Sequence, residues 1–509
     1  MLFPRQLLHA LPQGVFGAWL MALSFPTPGI WFFMFVGLGL LLPAFRFLNL
    51  VESFLLGSVT GFIYYGVLAQ WTTVYLGLLP WLGLVSVQAV LFALGSVIFT
   101  LAWRFGDSFH RSTDIPTMAP HKPVFVVVTA VAVASAWTLR ESVAATWPFG
   151  GFAWGRVIHS QAETVFGHLV TIFGSSVAGT VLVAATLWIV LVWSSRFETA
   201  VSVLYSAIAI GIFTAFIPAA IAFSSPTGDT IRVMAVQGNS NSALFADIAP
   251  GDSIRAHYQA MSDYWNESVD VVLWPENAAD INPLTNPSAG AVADQISDEF
   301  DAPFVFGTIT WVGDESFNSV VKWEFGAGAT DQYDKIHPVP FAEYLPERDF
   351  FYPLAPDMFD MVPRDYSFGT RDTIFEIADT RVGINICYDI VDDEIFRDMI
   401  SDGAEVIFSP TNNADFGRSH QSIQQLGIAR IRAMETGRAV VNDSTVGVSA
   451  IIAADGSDIV RLEPFAPGVM VADVPVSSVV TPAMAFGRQT ESVVLAFGLL
   501  PLVYWRRRD

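Results

Sequence analysis

The stretch Val382-Gly383-Ile384-Asn385-Ile386-Cys387-Tyr388-Asp389 runs from an apolar segment into a polar turn, and Asp392-Asp393-Glu394 follow with the acidic start of a helix over 392–402. A strand that hands the chain directly to a helix is the repeating unit of α/β folds. The alternation extends to both sides. Residues 269–274, 406–408 and 439–441 read as further strands and 422–436 as a helix, while 451–460, with Asp455-Gly456 at its centre, reads as a hairpin. The region around Cys387 is therefore expected to be an α/β sandwich rather than an all-β module. No internal repeat or low-complexity tract interrupts it.

The rest of the chain has a different character. Of its 509 residues 52% are hydrophobic and only 15% charged, which is too apolar for an ordinary soluble enzyme. Residues 6–45 and 53–103 contain no Lys, Arg, Asp or Glu. Two membrane spans fit the first run, with a turn at 24–29, and two fit the second, with the turn expected at Leu79-Pro80. Single spans at 123–139, 169–193 and 200–223 bring the expectation to seven. An eighth candidate, 492–505, has 14 residues. At ~1.5 Å per residue it covers ~21 Å of a hydrocarbon core of ~30 Å, so by itself it is marginal.

Charge gives the expected orientation. Arg5, Arg46, Arg104, Arg111, Lys122, Arg196, Arg506, Arg507 and Arg508 fall where even-numbered crossings return the chain to one side, which the positive-inside rule assigns to the cytoplasm. Seven spans then deliver the region after residue 223 to the outer side, and the Arg-rich terminus supports the eighth. The first span has no small-residue cleavage site and is expected to be retained. The domain reading is a transmembrane domain of about seven helices over 1–223, an extracytoplasmic domain over 224–480, and a terminal helix with a short cytoplasmic tail over 481–509. Between 224 and 490 lie 40 of the 48 acidic residues and 15 of the 26 basic ones, a net charge of −25. Such a surface is solvating and argues against nucleic acid as a partner. A single Cys excludes an intrachain disulfide, and no Cys and His residues have zinc-ligand spacing, so neither a metal nor another cofactor is expected.

Three residues stand at positions suited to chemistry. Cys387 lies at a strand-to-helix turn, where a helix N-terminus favours thiolate. Glu276 ends the strand Val271-Val272-Leu273-Trp274-Pro275-Glu276, where apolar neighbours raise a carboxyl pKa and suit it to general-base work. Lys335, in Tyr333-Asp334-Lys335-Ile336-His337-Pro338, is one of three lysines in the chain. Taken singly, each has a plain alternative: an inert buried thiol, a solvated strand-end carboxylate and a surface lysine.

Taken together, with Pro340-Phe341-Ala342-Glu343-Tyr344-Leu345-Pro346 between the second and the third, their sequences and order resemble the Glu-Lys-Cys triad of the nitrilase, or carbon-nitrogen hydrolase, superfamily. With the membrane spans ahead of them, the whole chain resembles the apolipoprotein N-acyltransferase family. The likeness continues through Thr411-Asn412-Asn413-Ala414-Asp415-Phe416-Gly417 and the segment from Ala429 to Arg438, and in the membrane half through Leu139-Arg140-Glu141 and Trp147-Pro148-Phe149-Gly150-Gly151-Phe152-Ala153-Trp154. The last segment is similar to the family's outer-side Trp-rich stretch, and an interfacial aromatic belt is its alternative reading. Asp389, Ala342 and Asp415 stand where the family usually has Glu, Gly and an aromatic residue.

The resemblance implies a multi-span α-helical membrane domain joined to a nitrilase-like αββα sandwich. It implies a multi-pass enzyme of the bacterial cytoplasmic (inner) membrane that takes an acyl chain from a phospholipid donor and gives it to a diacylglyceryl-modified lipoprotein acceptor, both held at the lipid bilayer. Glu276 would act as base, Lys335 as oxyanion partner and Cys387 as nucleophile, with Glu343, Tyr388 and Asp389 in support. Glu343 would orient Lys335 or serve as a further acid/base group, and the Tyr388 backbone N–H would be a second oxyanion donor. A thioester must be kept from water, so 349–365 and 277–290 are candidate covers. The rivals are a membrane-tethered amidase or nitrilase hydrolysing a C–N bond, and an inactive scaffold.

Overall fold

The computed structural model describes residues 5–111, 121–195, 197–224, 228–240, 242–243, 249–360 and 365–506. The chain forms two compact units, one of residues 1–222 with 482–509 and the other of residues 223–481.

The first unit is helical: α1 (Arg5–Ala22), α2 (Phe33–Ala44), α3 (Leu50–Leu68), a single turn α4 (Thr72–Leu76), α5 (Leu78–Arg111), α6 (His121–Thr146), α7 (Leu169–Ser194), α8 (Thr199–Ala215), α9 (Ile217–Phe223) and, from the far end of the sequence, α16 (Pro482–Arg506). Each expected span appears as helix, but five stretches among the described residues are long and apolar enough to cross a membrane: Leu50–Leu68, Leu78–Phe109, Pro123–Thr146, Val165–Ser194 and Thr199–Phe223. Helix α2 has 12 residues, ~18 Å of rise. The terminal helix is longer than its uncharged part, because it begins at Pro482 and carries Arg488 and Glu491 before reaching Arg506, 25 residues in all.

The turn expected at Leu79-Pro80 lies earlier. Gly77, at φ 79°, ends α4 in a left-handed conformation that only glycine adopts without strain. Leu79 and Pro80 fall in the first turn of α5, where proline's missing N–H costs nothing because that donor has no intrahelical acceptor. Of the basic residues that orient the chain, Arg196, Arg507 and Arg508 lie outside the described residues.

The second unit contains two six-stranded mixed sheets. The first has the order β12 (Gly468–Pro475), β1 (Thr230–Gln237), β2 (Val271–Leu273), β3 (Phe304–Val312), β4 (Glu315–Glu324), β5 (Gly328–Asp334). The second has the order β11 (Asp458–Arg461), β10 (Ala450–Ile452), β9 (Val440–Ser444), β8 (Val406–Thr411), β7 (Thr380–Ile384), β6 (Ile374–Ile377). In each the central strands are parallel and the outer ones antiparallel.

Period-two patterning explains why the sheets meet. Ile231, Val233 and Ala235 of β1, with Leu273, Val305 and Val320, pack against Val382, Ile384, Val406, Phe408 and Val441 in one buried cluster. The alternate residues Met234, Val236, Val272, Trp274, Phe304 and Phe306 form a separate buried cluster on the other face, beneath α10 (Asp252–Ala260) and α11 (Pro287–Phe300). Helices α14 (Asp393–Ser401) and α15 (Gln421–Thr436) accompany the second sheet, α15 packing on β9 and β10. Two short helices, α12 (Arg348–Phe351) and α13 (Pro356–Phe359), complete the unit. The layers are α, β, β, α, and 451–460 forms its expected antiparallel hairpin.

Candidate active site

Glu276, Lys335 and Cys387 each follow the C-terminal end of a strand: β2, β5 and β7 respectively. Two come from the first sheet and one from the second, and the docking of the two sheets brings them together. All three are buried, at 3%, 1% and 9% relative exposure. The end of β2 is held tightly against β3: Gly307 donates its N–H to Pro275 O, and a Cβ at Gly307 would lie 2.6 Å from Glu276 Cα. Only glycine lets the strand pass the candidate base at that distance.

The Lys335 ammonium lies between two carboxylates, 2.9 Å from Glu343 and 3.5 Å from Glu276. Burial works against its charge, but Glu343 and Glu276 together outweigh that effect and hold the ammonium well above its ordinary range. Glu343 is fixed in turn by the Val339 backbone N–H at 2.6 Å. Burial, reinforced by Glu343, pushes the Glu276 carboxyl up, against Lys335 and Asn318.

The Cys387 thiol interacts with the Glu276 carboxyl. Glu276 Oε1 is already taken by Asn318 and Lys335, whereas Oε2 has no nitrogen or oxygen donor among the described residues. The carboxyl thus keeps one oxygen without a donor among the described residues. Burial pushes the thiol up to about 12, with Glu276 adding to the effect.

This corrects the expectation that a helix N-terminus favours thiolate here. Cys387 opens a one-turn 3₁₀ segment, Cys387–Val391, too short for a sizeable dipole, and burial dominates. The resting sulfur is a neutral thiol that needs a base. Its backbone is strained, at φ 50°, a region that side-chain-bearing residues rarely occupy.

Asp389 is fully buried and accepts from Tyr333 Oη at 2.8 Å, His337 N at 3.0 Å and Ile386 N at 3.2 Å. The shorter acid therefore ties the strained turn at Cys387 to the segment carrying Lys335. Tyr388, half-buried, follows the thiol in the same 3₁₀ turn.

The two candidate covers differ. Residues 277–290 are anchored: Ala279 N donates to Gly307 O, Thr308 Oγ1 donates to Ala279 O, and Asp280 accepts from Gly251 N and Ile254 N of α10 and its cap. Residues 349–360 expose apolar groups, Phe350 at 66% and Leu354 at 70%, and Phe351 packs edge-on to Phe341 at 4.9 Å. Residues 361–364 lie outside the described residues. In the membrane unit the Trp-rich stretch is not a uniform exposed belt, since Phe152 and Trp154 are buried and stack on each other while Trp147 is exposed.

Sequence reading missed Asn318, in β4. Its side-chain amide donates to both Glu276 Oε1, at 2.7 Å, and Glu343 Oε1, at 3.1 Å, and its backbone carbonyl accepts the Lys335 backbone N–H at 2.8 Å. An Asn before Ser319-Val320-Val321 has no sequence signature, and only the antiparallel register that sets Ser319 opposite Asp334 puts it beside Lys335.

A carbon-nitrogen hydrolase family model matches residues 233–481. The sandwich, together with that match, defines a domain of the carbon-nitrogen hydrolase class. The model for the apolipoprotein N-acyltransferase N-terminal domain matches residues 17–188. Among curated relatives, the apolipoprotein N-acyltransferase of Mycolicibacterium smegmatis is 28% identical, over 97% of this chain and 84% of its own length. The one from Shewanella oneidensis is 25% identical, over 96% and 94%. The chain is a member of the apolipoprotein N-acyltransferase family, and hence an enzyme with several apolar helices.

Proposed function

We propose that this enzyme transfers a fatty acyl chain from a membrane phospholipid to the α-amino group of the N-terminal diacylglyceryl-cysteine of apolipoproteins, the last step of lipoprotein maturation, by a ping-pong route through a Cys387 thioester. The carrying observation is a buried thiol that interacts with a buried carboxyl whose Oε2 has no nitrogen or oxygen donor among the described residues, with a lysine beside it. Glu276 takes the S–H proton, and the sulfur attacks the ester carbonyl carbon. The oxyanion is met by Lys335 and the Tyr388 backbone N–H. The C–O bond breaks, the proton passes from Glu276 to the leaving oxygen, and lysophospholipid departs. The amine of the second substrate then attacks the thioester carbonyl, Glu276 receives its proton, and the C–S bond breaks with its electron pair returning to sulfur. Glu343 and Asn318 hold Lys335 and Glu276 in place throughout.

Both substrates are lipid-anchored, which gives a reason for placing the thiol on a membrane protein. The basic residues support a bacterial cytoplasmic membrane setting with residues 224–480 on the outer side. Exposed Phe350 and Leu354 offer apolar surface to an acyl chain.

The test is intact mass of detergent-purified protein incubated with phospholipid alone, wild type against Cys387→Ala. A fatty-acyl adduct is expected in the wild type only, discharged by a diacylglyceryl-cysteine peptide. Discharge by water alone would replace the acyltransferase with the hydrolase that the match over 233–481 also accommodates, and no adduct with any lipid would refute the thioester.

A further inference from the structure

Cys387 is also met by a second set of polar groups with no role in the steps above. Thr411 ends β8, Asn413 follows it, and Gln421 and Gln425 lie one turn apart on α15; all four are buried, at 0%, 2%, 3% and 2% exposure. Gln425 Nε2 is 2.9 Å from Thr411 Oγ1, 3.3 Å from the Cys387 carbonyl oxygen and 4.0 Å from Sγ. A carbonyl only accepts, so the Gln425 amide must present its N–H groups to this side. The other end agrees, because Gln425 Oε1 accepts from Asn413 Nδ2 at 2.9 Å and Gln421 Nε2 at 2.8 Å. Asn413 Nδ2 also donates to Gln421 Oε1 at 2.9 Å.

The amide orientations are therefore fixed, and the Gln425 amide turns its N–H groups toward Thr411 and the Cys387 carbonyl. Thr411 Oγ1 receives an N–H from Gln425, which leaves its own proton for another acceptor, and the Gln425 amide itself stands 4.0 Å from the Cys387 sulfur; Thr411 acts on that sulfur in the sense that favours thiolate. Aligned donors strengthen one another in a low-dielectric interior.

The geometry points to a buried donor relay, Asn413 and Gln421 to Gln425 to Thr411, that ends on Cys387 Sγ and stabilises the sulfur whenever it carries negative charge. This rests on Cys387 being the reactive thiol. The relay serves twice. When Glu276 removes the S–H proton, the new anion has a donor waiting; when the amine displaces the thioester, the pair released from the C–S bond returns to a sulfur held by the same donor. In this relay Thr411 is the last hydroxyl before the sulfur, and Gln425 is a positioning residue that acts through Thr411 and through the Cys387 carbonyl.

Cys387 is the sole cysteine, so alkylation by iodoacetamide reports on this sulfur alone and needs neither lipid nor peptide. The rate is followed by intact mass across pH for wild type, Thr411→Val, Thr411→Ser and Gln425→Met. Thr411→Val removes the hydroxyl at nearly constant shape. It should alkylate about tenfold more slowly at neutral pH, with the rate profile shifted about one unit to higher pH. Thr411→Ser should restore the rate to within about twofold of wild type, an outcome that a purely structural role for the threonine methyl would reverse. Gln425→Met should shift the profile the same way by less, and it carries the test if Thr411→Val does not fold. Wild-type rate and profile in both Thr411→Val and Gln425→Met would overturn the relay. Because alkylation is read without acyl donor, a wild-type protein that alkylates but forms no fatty-acyl adduct refutes the acyl-transfer reading separately.

Discussion

The molecule buries charge in two ways, one in each unit. In the helical unit Arg140 and Glu141 have side chains 1% and 6% exposed and form an ion pair at 3.3 Å. Glu141 Oε1 also accepts from Trp137 Nε1 at 2.8 Å and Val157 N at 3.2 Å, while Arg140 donates to Tyr65 Oη at 2.7 Å and lies 4.5 Å over the Trp137 ring. In the sandwich two carboxylates share one lysine, and one carboxyl oxygen has no nitrogen or oxygen donor among the described residues. The first cluster balances its charges and encloses them with donors and aromatic rings, so it acts as a pin between helices. The second leaves a charge and a lone-pair face uncompensated beside a thiol. Imbalance, more than burial, separates a reactive cluster from a structural one.

That contrast breaks first if its two members respond alike to mutation. Glu276→Gln keeps the shape and removes the base; acyl-adduct formation should fall by about 10²–10⁴, while the thermal midpoint stays level or rises because a surplus buried carboxylate is gone. Arg140→Met should do the reverse. It strands Glu141 and costs about 3–5 kcal/mol of stability, read as a lower unfolding temperature in detergent, and adding Glu141→Gln should recover part of it. A Glu276→Gln protein that unfolds as readily as Arg140→Met would show that both clusters are structural.

Smaller effects sharpen the comparison. Asn318→Ala removes the donor that Glu276 and Glu343 share and should slow adduct formation by about tenfold, the loss of roughly one good hydrogen bond to a charged group. Asn318→Asp should be worse, since it adds a third carboxylate around one lysine. The pH profile reflects the upward push on Glu276: the base works only when ionised, so adduct formation should hold above its raised pKa and fall as pH drops through it, a limb absent from the residual rate of Glu276→Gln.

The smallest expected effect is at His337, 3.0 Å from Asp392 and raised mainly by that hydrogen bond. A raised histidine stabilises the fold fully below its unfolded pKa, and the contribution is lost as pH rises through the folded value. The pair is partly exposed, so it should give no more than about 1 kcal/mol. The gap in unfolding temperature between wild type and His337→Asn should be widest in mild acid and close toward alkaline pH.

How much of this is legible in the sequence depends on the range of the interaction. Trp274-Pro275-Glu276 and Gly383-Ile384-Asn385-Ile386-Cys387 announce strand ends because apolar runs and the polar residues closing them are local signals. The break between the third and fifth helices is also local, but its signal is Gly77 rather than the expected Leu79-Pro80, since a proline at position 80 is compatible with a helix start. The terminal helix looks marginal when counting stops at Glu491, although a helix can carry charges beyond its apolar part. Asn318 and Gln425 are silent for a deeper reason. Each meets the candidate catalytic groups from far along the sequence, Asn318 meeting Glu276 across 42 residues and Glu343 across 25, and Gln425 meeting Cys387 across 38, through strand register and helix packing that no local pattern encodes. The thiol's protonation state escapes local reading for the same cause, since burial belongs to the folded sandwich.

The candidate base and cation sit on one sheet and the sulfur on the other, joined by the apolar layer from Ile231 to Val476. No fragment that folds one sheet alone can assemble the reactive centre. On the proposed roles, the chain's only thiol meets its base at the moment the two sheets close, which would make acyl-transfer competence all-or-none with respect to folding and leave partly folded chains without an assembled Glu-Lys-Cys centre.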